Sequence, residues 1–384
     1  MNLDSMDFSK ELPTNEKIYL NNASVSIMPF SSIKKMSDFL IKYGSIGPDS
    51  IESELFLKEK LMQIRKKISN LVQCKPEEII FTQSTTDGIN MVASGLELDL
   101  KSNLIIRGMG HEHHANFYPW LSLSKKISLR SLKTDLNGFF DIKELQNFVD
   151  SNTKCVALSH ALYNTGTILP VEEIGEYLEK NNVPFFLDTA QTVGCIGEYD
   201  FKKTSSDFMS FNGSKWLCGP MGTGVFYCKK ESSKLLKPIS IGGESAMIYD
   251  DSELAYKDIP DKFQTGFRNY VGFVGLESSI DYMLQFGLNN IRKKIIQLSN
   301  LMRSELSKIS GITLYGPEDE LERTSIVSFT IAEEEPEKVV QKLETKKIVL
   351  AVREIMDKKI VRASPHFYNS EEEILKVIDE IRKL

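Results

Sequence analysis

DFMSFNGSKWLCGPMGTG, residues Asp207 to Gly224, carries an apolar run into a lysine and a glycine-rich turn. Phe208, Met209 and Phe211 read as a buried strand, and Asn212, Gly213 and Ser214 as the small polar residues that end it. Lys215 follows at once, then Trp216 and the turn around Gly219-Pro220. A strand that delivers a lysine into a tight turn can desolvate it, and a desolvated lysine is the amine that forms Schiff bases with carbonyls. Most lysines after a strand are surface groups, so the stretch takes its meaning from what surrounds it.

Upstream, short β-rich runs alternate with helical windows. Strands are expected at Ile79–Thr82, Leu104–Arg107, Cys155–Ser159, Phe185–Asp188, Phe208–Phe211 and Val225–Cys228. Helices are expected at Ser31–Tyr43 and Ile51–Gln73, and then between strands at Thr86–Leu96, Asp141–Val149 and Val171–Asn181. Continuous apolar strands separated by helices imply an α/β fold with a mainly parallel sheet covered on both faces. Ligands of such sheets sit beyond the strand ends. After about Phe263 the character changes. Amphipathic helices over Gly272–Phe286 and Leu288–Ile309 lead to strands at Ser325–Thr330, Ile348–Val352 and Ile360–Ala363. Asn369-Ser370 and three glutamates announce a last helix. The expected organisation is a segment 1–17, a large domain 18–265 and a smaller α+β domain 266–384, with the helix from Leu288 as connector.

A chain of 384 residues is long enough for two domains. Its formal charge of −6, without a basic block, argues against a nucleic-acid surface. No apolar run reaches transmembrane length, and the N-terminal residues lack the pattern of a signal peptide. Five cysteines without CxxC spacing fit reduced thiols and a cytoplasmic location.

Three further stretches fall at expected strand ends. Thr82–Asn90, TQSTTDGIN, offers the hydroxyls of Ser84, Thr85 and Thr86 and free N–H groups at a helix start, which suits either an anion or a simple N-cap. Gly110–Trp120, GHEHHANFYPW, crowds His111, His113 and His114 around Glu112. The order is not HExxH and adjacent residues cannot all face one metal, so stacking of a flat imidazole on a ligand is the better reading and no metal is expected. Phe185–Gly194, FFLDTAQTVG, leaves Asp188 at the end of an apolar strand, either needing a charge partner or capping a helix, with Gln191 three residues on. GPMGTG has the wrong order for a dinucleotide loop and precedes a strand. An anion site, an imidazole, a strand-end carboxylate and a lysine together match pyridoxal 5'-phosphate. Its phosphate needs N–H donors, its ring needs faces to pack on, its pyridine nitrogen a carboxylate and its aldehyde an amine.

From Ile18-Tyr19-Leu20-Asn21-Asn22-Ala23 to VRASPHFYNSEEEI, with these motifs in this order, the chain resembles the class V aminotransferase family of pyridoxal-phosphate enzymes. Within it the likeness is to the cysteine desulfurase-like and isopenicillin N epimerase-like branches. The resemblance implies fold type I with a seven-stranded-type sheet. It makes Lys215 the Schiff-base lysine, Asp188 the partner of the pyridinium nitrogen, His113 the stacked ring and Gln191 the donor to the phenolic oxygen. Thr85, Thr86, Asn212 and Ser214 become phosphate contacts. Arg362 becomes the grip on the substrate α-carboxylate, a task for its planar fork, with Ala23 and Asn164 also at the substrate. A homodimer with sites completed across the interface is implied as well.

The departures concern the substrate. Tyr163 stands where the family has asparagine, and Asn164 beside it is the candidate replacement. A loop that usually reads GTP is Gly266-Phe267-Arg268-Asn269, from which Arg268 is expected to supply charge to phosphate or substrate. Cysteine desulfurases carry a sulfur-accepting cysteine on a loop of the C-terminal domain. Here no cysteine follows Cys228, Val349 to Ile360 is too short for that loop, and Cys218 reads as packing. The implied activity is a desulfurase-like lyase or aminotransferase acting on a small amino acid. An epimerase or racemase, or a catalytically weak partner protein that keeps the fold, are the alternatives.

Overall fold

The apolar runs assemble into a central sheet of seven strands. The computed structural model describes residues 3, 8–14, 16–250 and 253–384. The strands are β1 (Ile79–Thr82), β2 (Asn103–Arg107), β3 (Ser128–Leu132), β4 (Thr153–Ser159), β5 (Phe185–Asp188), β6 (Phe208–Asn212) and β7 (Gly224–Cys228). They lie in the order β1-β7-β6-β5-β4-β2-β3. β7 runs antiparallel to both neighbours, and the other pairings are parallel. Alternate residues feed two cores, as the period of a strand requires. Ile105, Val156, Phe185 and Leu187 face one side; Leu104, Ile106, Ala157 and Phe186 face the other.

Helices α1 (Phe30–Ser45), α2 (Ile51–Val72), α3 (Thr85–Gly95) and α4 (Val171–Lys180) lie within two residues of their expected bounds at each end. α5 (Tyr270–Leu284) packs against α1 and sends Phe273 and Leu276 into the large core. α6 (Leu288–Leu306) joins two cores: Leu288, Ile291 and Ile295 belong to the first, while Leu298, Met302 and Leu306 belong to a second. That second core lies under a four-stranded antiparallel sheet of β8 (Ile312–Tyr315), β9 (Val327–Ile331), β10 (Ala351–Ile355) and β11 (Lys358–Ala363), in the order β8-β9-β11-β10. Helices α7 (Pro336–Glu344) and α8 (Glu371–Ile381) also contribute to it.

The run expected as one strand, Ile348–Val352, is divided. Ile348 and Val349 pair in parallel with Ile18 and Tyr19, and Ala351 opens β10. The N-terminal residues Ile18 and Leu20 are thereby packed into the second core, which brings Ala23 and Ser24 to the cleft between the two sheets. β10 and β11 form a hairpin in which Ile355 pairs with Lys358, so only Met356 and Asp357 separate them. Among the described residues no helix is long and apolar enough to cross a membrane.

Candidate active site

The site forms where β1, β4, β5 and β6 end. α3 begins directly after β1, and its N-cap Ser84 accepts the Asp87 N–H at 3.2 Å. Thr85 and Thr86 open the helix, so their N–H groups have no carbonyl partner within it. Two glycines permit this placement. A Cβ on Gly88 would lie 2.3 Å from Ser210 Oγ, so α3 can sit directly on β6. A Cβ on Gly224 would lie 2.3 Å from the Ser84 backbone nitrogen, so β7 can pass beneath the helix start. Asn212 Nδ2 donates to Thr85 Oγ1 at 3.1 Å and ties the end of β6 to that start.

A cavity of about 300 Å³ opens in front of α3. Thr85 and Thr86 line it from the helix, Asn212 and Lys215 from the end of β6, and Asp188 and Gln191 from the end of β5. His113 stands at its mouth, Ala23 enters from the N-terminal segment and Arg362 from β11. Nine of the twelve expected site residues therefore share one cavity.

Burial governs the charges. Lys215 is pushed down to about 8, first by burial and then by the Arg362 and Arg353 guanidiniums, against the pull of Asp188. Burial raises the Asp188 carboxyl, and Lys215 opposes that. One Asp188 oxygen accepts the Ala190 N–H at 2.9 Å; the other has no hydrogen-bond partner among the described residues and is the free acceptor at the strand end. Gln191 is held from both sides, donating to Ala23 O at 3.0 Å and accepting from Trp216 Nε1 at 2.8 Å. One of its amide hydrogens is left over. His113 accepts the Ala115 N–H at Nδ1, which leaves the ring proton on Nε2, and its ring meets Tyr163 edge-on at 4.9 Å. Protein atoms crowding its inner side, and then Lys215, lower its proton affinity. The residue is exposed, so solvent screens part of that effect, and the ring is neutral at pH 7.

A family model, aminotransferase class-V, matches residues 18–377. The chain belongs to the class-V aminotransferase family. A probable cysteine desulfurase of Methanothermobacter thermautotrophicus is 31% identical, covering 96% of this chain and 95% of the relative. Another, of Pyrococcus abyssi, is 31% identical, covering 98% and 97%. The apo cysteine desulfurase of Thermococcus onnurineus NA1 matches the fold with a TM-score of 0.90 at 27% identity, covering 98% and 97%. The chain is a cysteine desulfurase-like, class-V enzyme, and pyridoxal phosphate is its cofactor. The cavity fits that group on its own chemistry. Among the described residues it offers unpartnered N–H groups at a helix start, a carboxylate with one free oxygen and a half-buried amine whose proton is loosely held.

Three of the expected site residues lie outside the cavity's lining. Ser214 stands one step away, donating to Asn212 Oδ1 at 3.3 Å. Asn164 is buried and donates to Glu354 O at 2.7 Å, while its own carbonyl accepts the Thr165 N–H; its side chain is engaged with backbone. Arg268 forms a fork of two 2.7 Å bonds with Glu244 and lines a separate cavity with Gln83 and Phe267. Cys218 is buried, with His366 Nε2 3.5 Å from its sulfur, and burial pushes its thiol up. The two neighbours of His113 in the sequence cluster are engaged elsewhere: His111 Nε2 lies 2.9 Å from Asp135 O and His114 stacks on Tyr118. Among the described residues no three His, Cys, Asp or Glu side chains are grouped to hold a metal.

Arg353, Ser24 and Tyr163 line the cavity without having been assigned a part. The missed signal was the hairpin. Arg362 pairs with Ala351, so strand alternation puts Arg353, two residues beyond Ala351, on the same face as Arg362.

Proposed function

We propose that this enzyme breaks the C–S bond of a small sulfur-containing amino acid by lyase chemistry, without parking the sulfur on a cysteine of its own. The observation that carries this reading is the two-residue turn between β10 and β11. The sulfur-accepting loop of cysteine desulfurases has no room there. All five thiols precede Lys229, and Cys218, closest in sequence to Lys215, is packed against His366.

Ser84, Thr85, Thr86 and Asn212 would hold the cofactor phosphate, His113 a ring face and Gln191 the phenolic oxygen. Asp188 would hold the ring nitrogen and Lys215 the aldehyde. When bound, pyridoxal phosphate supplies the electron sink that makes the α-proton of an amino acid removable. Arg362 orients the substrate through its carboxylate. It is 1% exposed, already fixed by Tyr163 O at 2.7 Å and Asn21 Oδ1 at 3.0 Å, and its Nε is unpartnered. Lys215, with its pKa brought to about 8, carries a substantial neutral fraction near pH 8 and moves the α-proton as general base. Asp188 stays beside the positive charge it stabilises. The likeness to the class-V family supports a homodimer as well. Exposed Met247, Ile248, Leu254 and Phe267 support this: the first three lie on the paired antiparallel strands Ala246–Asp250 and Glu253–Tyr256, and Phe267 is next to Arg268 of the Arg268–Glu244 pair.

Product analysis with L-cysteine tests the lyase reading. Pyruvate, ammonium and sulfide in equal amounts are expected, with Cys218→Ser retaining the activity. Alanine formed together with a protein-bound persulfide would overturn it.

A further inference from the structure

Arg107 closes β2 with its side chain wholly buried, yet only one arm of its fork is engaged. Nη2 donates to Ser159 O at 3.2 Å, while Nε and Nη1 have no hydrogen-bond partner among the described residues. Glu112, on the loop that leaves β2, is 1% exposed and accepts from Ser159 twice, from its N–H at 3.2 Å and from its hydroxyl. Ser159 therefore joins a buried cation to a buried anion. It ends β4, pairs in register with Asp188 on β5 and lines the cavity. Burial raises the Glu112 carboxyl, Arg107 and the Ser159 hydroxyl oppose that, and the Asp188 charge adds to it. Burial lowers the proton affinity of Arg107, against the pull of Glu112. A buried guanidinium with two unpaired donors is costly, and neither it nor Glu112 lines the cavity where the reaction runs.

We propose that Arg107 and Glu112 form a charge pair across the end of β4, which sets the electrostatic field behind Asp188 at the ring-nitrogen end of the cavity. Both are positioning residues, acting through Ser159 and Asp188. This rests on Asp188 and Lys215 holding the cofactor, and it is independent of the C–S cleavage reading. A negative Glu112 adds to the charge of Asp188 and favours a positive ring, and Arg107 keeps Glu112 from taking up a proton in a dry interior. Without Glu112, Arg107 is an unanswered cation that repels protons from the site. The other titratable groups against these three are Lys215 beside Asp188, His111 beside Arg107 and Tyr163 beside Glu112. Burial and then Arg107 lower the proton affinity of His111, and burial raises the Tyr163 phenol. Neither therefore changes charge between about pH 7 and 10.

The test is a pH titration of the cofactor's visible band in the holoenzyme, which reports the proton on the cofactor–Lys215 linkage rather than turnover. Glu112→Gln keeps the shape and uncovers the Arg107 charge. Its midpoint should fall by about one pH unit, the effect of one buried charge acting across neighbouring strands at the effective dielectric of a protein. Combining Glu112→Gln with Arg107→Gln removes both charges and should return the midpoint to the wild-type value, although the double variant alters more of the packing. A purely structural role would move the melting temperature and leave the midpoint in place. A midpoint that rises in Glu112→Gln overturns the pair. So does a midpoint, or the lack of one between pH 6 and 10, that is the same in all three proteins. A double variant that stays displaced overturns it too, as does loss of fold in both variants, which would make the pair a structural tie. A visible band missing from the wild type would overturn the assignment of Lys215 and the pair with it.

Discussion

At Lys215 burial and charge oppose each other, and burial prevails. An unperturbed lysine holds its proton up to about pH 10.4, whereas here the amine is brought to about 8. Only the neutral amine attacks an aldehyde. The rate of cofactor attachment to the cofactor-free protein should therefore rise with pH and level off above about 8. Stopped-flow absorbance across pH 6–11 checks this, and a rate still climbing at pH 10 would mean an exposed, ordinary lysine. Asp188 offers a second test at this scale. Asp188→Asn keeps the shape and removes the charge, and the loss of one charge-assisted bond costs about 1.5–3 kcal/mol, roughly 10- to 150-fold in kcat. Steady-state kinetics at saturating cofactor would measure it. Both residues stood out in the sequence, Asp188 because it ends an apolar strand and Lys215 because it lies three residues past the end of another. Arg353 was not, because an arginine in a short, half-buried strand looks like any surface charge until its neighbour across the hairpin is known.

α3 and β7 approach so closely at Ser84 and Gly224 that a single methyl is decisive. Gly224→Ala should push the helix start away, costing about 1–3 kcal/mol of overpacking, with cofactor affinity falling together with the melting temperature. Calorimetry and cofactor titration on the same sample would show whether the two move together. At the other end of the chain, Ser370 caps α8 in a reciprocal box with Glu373. Ser370→Ala should cost about 1 kcal/mol and leave the cofactor band unchanged. That cap was legible as Asn369-Ser370 followed by glutamates. β3 was not legible, because SLRSL lies at the sheet edge with only Leu132 buried and carries no continuous apolar run. The run Ile348–Val352 misled for a related reason. Its apolar residues serve two pairings, one to Ile18–Tyr19 and one within the small sheet, and strand propensity does not mark where one ends.

At the scale of the whole molecule, α6 joins one of the two cores of the large sheet to the core under the small sheet, and both arginines reach the cavity at the large sheet's strand ends from the small one. The order of motifs carried this architecture into the sequence, because strand ends, helix starts and the lysine turn recur at fixed places along the chain. Partner contacts leave no such local mark. Phe267, 83% exposed in a single chain, is expected to be covered in the proposed dimer. Phe267→Glu should shift the sedimentation profile toward monomer, and an unaltered profile would place the interface elsewhere. The account as a whole rests on Lys215 carrying the cofactor, and borohydride reduction of the resting holoenzyme followed by peptide mapping tests this most directly. A pyridoxyl adduct on Lys215 is the expected result, and an adduct on any other lysine, or on none, would contradict it.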